Sequence, residues 1–258
     1  MNFSTQPNPH PNGFTIDSVE EKEGKLQAKV KLLSVYTAEP YFSSDSSSFT
    51  IIKEKGSYVI DKIEQEKTTE IVQKENALFM KEGGDVKGKE IIKLAELPGY
   101  AVPQGATPDQ KYPVGKDRFG PIAGDAEGKK LAVTTVGKYA SLMVLEVKDK
   151  KVKPLDLYFD VSAQSIAWSQ DGNFLAVEVL NAAGTKSVYI YDIEKGKRLD
   201  DPVKSIVKPG KYSVDTPYWI SENELVFNVS AVQNLTPDEM KTAGSYKLDA
   251  KSLSLTKY

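Results

Sequence analysis

The chain has 258 residues, 40% apolar and 27% charged, the usage of a folded protein with room for one large β domain or two ordinary ones. A formal net charge of −2, with lysines always near acids, excludes the electrostatic footprint of a nucleic-acid binder. There is no cysteine, which removes disulfides, thiolate metal sites and a cysteine nucleophile, and arginine occurs only at Arg118 and Arg198, which removes most bidentate forks for phosphate.

The opening MNFSTQPNPHPNG is polar and proline-rich, without the apolar stretch of a signal peptide. It predicts a mobile leader over 1–13, read as a tether or as the cut edge of a chain whose targeting segment has been removed. No apolar run reaches the eighteen or so residues of a membrane helix. From Phe14 the pattern becomes β. Leu26-Gln-Ala28-Lys-Val30-Lys-Leu32 alternates strictly, apolar on one face and charged on the other, as a half-buried antiparallel strand does. Ser43 to Ser48 reads as a Ser/Asp loop. Phe49 to Ile63 then reads as a hairpin turning at Lys55-Gly56. This hairpin resembles the closing strands of cystatin-like and nuclear-transport-factor-like cone folds, with Tyr58 in place of the usual tryptophan and without the opening helices. A β-meander or an extra propeller blade is the alternative.

Glu70–Leu78 fits a short helix or a strand. Gly83-Gly-Asp-Val-Lys-Gly88-Lys89-Glu90 has the G-x-x-x-x-G-K spacing of a phosphate loop. Glu90, however, stands where Ser or Thr would hold magnesium, and the flanks look like hairpin arms. The stretch reads as a turn. Pro98, Pro103, Pro108 and Pro113 then break all periodicity, so 98–118 is read as a linker between an N-terminal β-rich domain over 14–97 and a second unit over 119–258.

That second unit is repetitive. Ile122 to Val133 lies over Ile166 to Val177, with Gly128 matching Gly172, and Pro217 to Phe227 is a third copy with Asn223 at the turn position. Glycine and asparagine are the residues that best tolerate positive φ, so all three turns are expected to share one chemistry. Further strands follow each copy, over Ser141–Val147, Ser187–Ile193 and Gly244–Asp249, and closing strands end each unit. Trp168-Ser-Gln-Asp-Gly172-Asn-Phe-Leu175-Ala-Val177 resembles the TolB-type, or WD-like, β-propeller repeat, with Gln170 in place of proline. Trp219 keeps the tryptophan in the third copy, whereas Gly124 replaces it in the first. The resemblance implies a mainly β fold: an antiparallel meander followed by three propeller-like repeats, a partial or small propeller.

Chemistry is sparse. The only histidine is His10 in the leader, so no imidazole-rich metal site and no Ser-His-Asp triad can be assembled, and G-x-S-x-G is absent. No catalytic residue, cofactor or metal is assigned. Tyr212 and Tyr218 flank Ser213-Val-Asp215-Thr, read as an exposed loop between blades, and Tyr212, Asp215 and Tyr218 are the candidate binding residues. The function expected is a non-enzymatic extracytoplasmic binding or sensing protein with a protein partner or small ligand. Its place is a bacterial cell surface, held by peripheral association through an N-terminal anchor outside this chain. The alternatives are a structural module of a cell-envelope complex and a carboxylate-dependent hydrolase or lyase.

Overall fold

The first third of the chain, alternating strictly over Leu26–Leu32, forms one long antiparallel meander. The computed structural model describes residues 9–199, 201–208, 210–233 and 235–258. Its first sheet runs in sequence order through β1 (His10–Lys22), β2 (Lys25–Val35), β3 (Tyr41–Glu54), β4 (Ser57–Lys74), β5 (Ala77–Glu82) and β6 (Lys89–Lys93). The hairpin at Lys55-Gly56 closes with both residues at positive φ, 49° and 90°, the conformation that a two-residue turn between twisted strands requires. The Gly83–Glu90 stretch is the turn between β5 and β6, tied by the Asp85 carboxylate, which accepts from the Lys87 and Gly88 amides. Glu70–Leu78 is strand on both sides of a turn, not helix.

Two readings of this sheet need correction. His10–Gly13 is not irregular: it opens β1 and pairs with Leu33–Val35. Pro11 is tolerated because β1 is an edge strand, where a missing amide costs no ladder bond. Residues 1–8 of the expected leader lie outside the described residues. Nor is Ser43–Ser48 a loop. It is the middle of β3, paired to β2 on one side and β4 on the other. Ser43 and Ser47 are buried there, and the Asp45 carboxylate accepts from Thr68 Oγ1 at 2.7 Å and Gln65 Nε2 at 3.2 Å. A central strand meets every backbone need by its two ladders, so small polar side chains suffice.

A two-stranded ribbon, β7 (Tyr100–Ala101) and β8 (Tyr112–Pro113), follows. Three four-stranded antiparallel blades come next. The first holds β9 (Arg118–Gly124), β10 (Lys130–Val136), β11 (Ala140–Glu146) and β12 (Lys151–Tyr158). The second holds β13 (Val161–Trp168), β14 (Phe174–Asn181), β15 (Lys186–Asp192) and β16 (Lys197–Arg198). After the short helix α1 (Asp201–Ile206), the third blade holds β17 (Tyr212–Trp219), β18 (Glu224–Ala231), β19 (Gly244–Asp249) and β20 (Ser254–Lys257), with α2 (Pro237–Met240) between β18 and β19. The opening strands are neighbours in space, β9 beside β13 and β13 beside β17. The fold is mainly β and propeller-like.

The repeat signature explains how the blades interlock. Trp168 Nε1 donates to the Ala123 carbonyl at 2.8 Å, and Trp219 Nε1 donates to the Ala167 carbonyl at 3.0 Å. Each indole therefore fills the space between blades and fastens its own blade to the one before, at the residue preceding that blade's own signature position. In the first blade that position is Gly124. A Cβ there would stand 2.5 Å from Cε1 of Phe42, a fully buried ring on β3. The N-terminal sheet thus occupies the place of a preceding blade, and Phe42 enters where the first blade has no tryptophan. One hydrophobic core runs from Leu33, Val35 and Phe42 through the first blade into the second, and another joins the second blade to the third.

The turns that start each blade are less uniform than the alignment implies. Gly128 and Gly172 take φ of 69° and 67°, as expected, but Asn223 does not take a positive φ. In the third copy Ser221 Oγ accepts from the Glu224 amide at 3.1 Å, and Asn223 spends its side chain on Asp249 at 2.6 Å. A hydroxyl-capped turn replaces the glycine turn.

The proline-rich stretch is fastened by Gln104. Its amide nitrogen Nε2 donates to the carbonyls of Leu155 (2.7 Å) and Gly196 (2.9 Å), while its backbone N–H donates to Asp156 Oδ1 at 3.0 Å. Asp156 is fully buried and also accepts from the Leu157 amide at 2.7 Å and the Tyr191 hydroxyl at 2.8 Å, with Arg198 Nη1 at 3.5 Å. Burial pushes its carboxyl up from the ordinary value, against the pull of those donors. A raised folded value means that folding takes up a proton, so this carboxylate opposes folding at neutral pH and that cost fades as pH falls through the folded value. Asp156→Asn keeps an acceptor for both amides but abolishes the titration. Its stability penalty, about 1–3 kcal/mol for the damaged network, is expected to be smaller at pH 7 than near pH 4, just above the unfolded value. Urea unfolding of both proteins at the two pH values reads the difference, and a penalty that shrinks on acidification refutes it.

Candidate binding rim on the third blade

Glutamate 178 interrupts an otherwise apolar strand, Phe-Leu-Ala-Val-Glu-Val-Leu, and is buried there. A buried carboxylate must be paired. One oxygen meets Lys186 Nζ at 2.9 Å and the other accepts the Thr216 backbone N–H at 2.9 Å. That second bond crosses from β14 to β17 and lands on an unusual residue. Thr216 has φ of 55°, in the left-handed region that β-branched residues avoid. The ladder between β17 and β18 slips at the same point, between Asp215 and Tyr218. β17 therefore carries a bulge, and the side chains past it are re-aimed.

The bulge sorts the three expected binding residues. Asp215 is half-buried, and its carboxyl is raised chiefly by burial, with the neighbouring Glu178 charge acting in the same direction and Thr216 Oγ1, which donates to it at 3.1 Å, acting against. Tyr218 is 43% exposed and lies just past the bulge. Tyr212 is not exposed. It is buried between the second and third blades, and its hydroxyl donates to the Glu239 carbonyl at 2.8 Å. The segment is a strand, not a loop, and the apolar spacing of Tyr212 and Val214 was the signal for it.

The start of β1 reaches the same region, lying against β13 and β17. Asn12 donates its side-chain amide to the Ile166 carbonyl. Burial lowers the His10 imidazole below its ordinary value, while the Glu178 charge pulls the other way. Glu178, Lys186, Thr216 and His10 are the members of this region that the repeat alignment did not single out. Only the lone carboxylate in a core strand marked one of them. Among the described residues no group of three or more His, Asp or Glu side chains comes together as a metal site.

No family model and no curated protein sequence matches the chain. The fold is similar to several solved propellers. TolB from Acinetobacter baumannii is 10% identical, with 96% of this chain and 68% of that one covered and a TM-score of 0.37. The β-propeller domain of the Trilobed protease from Pyrococcus furiosus is 10% identical over 96% of this chain and 58% of that one, TM-score 0.35. The tricorn protease is 9% identical over 91% and 30%, TM-score 0.40. The chain thus spans less than two thirds of either protease structure. The likeness is one of fold alone.

Proposed function

We propose that the protein is a non-enzymatic, extracytoplasmic binding or sensing protein in which the blades form a rigid scaffold and the β17 bulge contacts a protein partner. The observation that carries this reading is Thr216. A left-handed β-branched residue costs on the order of 1–3 kcal/mol and persists only where its surroundings enforce it. Here the enforcement comes from Glu178, and its result is a solvent-facing tyrosine beside a half-buried carboxylate on a fixed strand. An exposed tyrosine offers a large, stiff, amphipathic surface, the kind enriched where proteins meet. The extracytoplasmic setting is supported by the TolB-like repeat signature at Trp168–Val177. Among the described residues no helix is long and apolar enough to cross a membrane.

The test uses the full chain with Asp215→Ala and Tyr218→Ala combined. Capture of a specific protein from an envelope extract is expected to fall at least tenfold, with thermal unfolding unchanged. Turnover of a glycan or peptide library that disappears with a single Asp215 or Glu178 substitution would instead establish a carboxylate-dependent enzyme and sink the binding reading.

A further inference from the structure

The first sheet changes its apolar face halfway along β2. Leu33 and Val35 point to the blades and are buried, but Leu26, Ala28, Val30 and Leu32 share the opposite face. The cross-strand register extends that second face over four strands: Ile16 beside Val30; Val19 beside Ala28, Phe49 and Ile63; Leu26 beside Ile51 and Ile60. Two bulges keep the rows aligned. The register slips between Ile16 and Ser18 and again opposite Thr50 and Ile51, so the extra residues Asp17 and Asp61 leave Ile16 with Val19, and Ile60 with Ile63, on one side. Ile16, Val19, Tyr58, Ile60 and Ile63 all remain more than half exposed. The reverse of the same rows carries Gln27, Lys29, Lys62 and Glu64, an ordinary solvent face.

With Phe14 and Leu32, these side chains expose roughly 700 Å² of apolar surface, above the few hundred square ångströms of the largest patch on a typical monomer. Three occupants are possible in principle: an added strand, a membrane, or another sheet. Strand addition is blocked at β1 and at the distal half of β4, which β5 leaves uncovered before Thr69, because bulged Asp17 and Asp61 and the charges around them interrupt the pairing surface. An anionic membrane finds no net attraction, because Glu20, Glu21, Glu23 and Glu54 around the tip are balanced by Lys22, Lys25, Lys53 and Lys55. Two copies of the face, by contrast, can bury up to roughly 1,400 Å² together, the size of a standard stable interface. A two-fold axis along the strands lays β1 over the other copy's β4 and β2 over its β3. Glu21 and Lys53, of opposite sign at the distal end of the face, then meet at the same end of the interface.

We propose that the distal apolar face of the first sheet is a self-association surface, on which the same face of a second copy packs sheet-on-sheet. Sedimentation velocity of the full chain tests this across a concentration series. The wild type is expected to be dimeric at micromolar concentration. Ile60→Lys with Ile63→Lys should raise the dimer Kd at least a hundredfold with unchanged far-UV circular dichroism, whereas Lys29→Glu on the opposite face should leave the dimer intact. A wild type that stays monomeric at high concentration, or a dimer indifferent to the lysine pair, overturns the proposal. So does a monomer that co-sediments with phosphatidylcholine–phosphatidylglycerol vesicles, which would assign the face to lipid.

Discussion

Trp168→Ala is expected to cost about 3–5 kcal/mol, the range for removing a large buried aromatic. The ring is fully buried between the first two blades, and its indole N–H satisfies the Ala123 carbonyl at 2.8 Å. Alanine leaves both a cavity and a buried acceptor without its donor. The two losses separate experimentally. Trp168→Phe refills most of the volume but not the bond, and should recover all but about 1–3 kcal/mol. Urea unfolding followed by circular dichroism measures both variants. If alanine and phenylalanine cost the same, the indole bond carries the interlock and packing does not. If neither moves the midpoint, the blades are not fastened there at all.

The second large effect is expected at Gly124. Its φ is not in the left-handed region, so backbone freedom is not the reason for glycine here; space is. A Cβ at this position would lie 2.5 Å from Phe42 Cε1 and 2.8 Å from its Cζ, so Gly124→Ala drives a methyl into a fully buried ring. Overpacking of this kind costs about 1–3 kcal/mol. Phe42→Leu withdraws the ring edge that makes the clash, so the double variant should be less unstable than the sum of the singles by about 0.5–3 kcal/mol. Strict additivity in that cycle would mean that the first sheet and the first blade do not meet through this contact.

The propeller part was legible because its signal is repeated. The strand–turn–strand unit recurs three times, with the tryptophan kept at Trp168 and Trp219 and the turn glycine at Gly128 and Gly172, and even the missing tryptophan at Gly124 was readable as a deviation. Its meaning was not. Phe42 lies 82 residues away in sequence, and nothing in either segment says that one ring replaces another. The turn at Asn223 shows a different loss: asparagine permits positive φ without requiring it, and Ser221 supplied an equally good turn. In the first third, Ser43–Ser48 looked like a loop because serine is a poor strand former alone. The two flanking ladders, which no single segment reveals, decided the matter. Of the three candidate binding residues, Tyr218 is exposed and Asp215 half-buried, whereas Tyr212 is buried with its hydroxyl on the Glu239 carbonyl of α2. Glu178 and Thr216 meet across two blades, beyond any local pattern.

The backward reach of the indoles has a consequence for the order of assembly. Each tryptophan belongs to the later blade and needs a carbonyl that the earlier blade already presents, Ala123 for Trp168 and Ala167 for Trp219. The first blade in turn needs Phe42, which emerges earlier still. Every seat is made before its guest during synthesis from the N-terminus. Growth can therefore proceed one unit at a time along the direction of the chain.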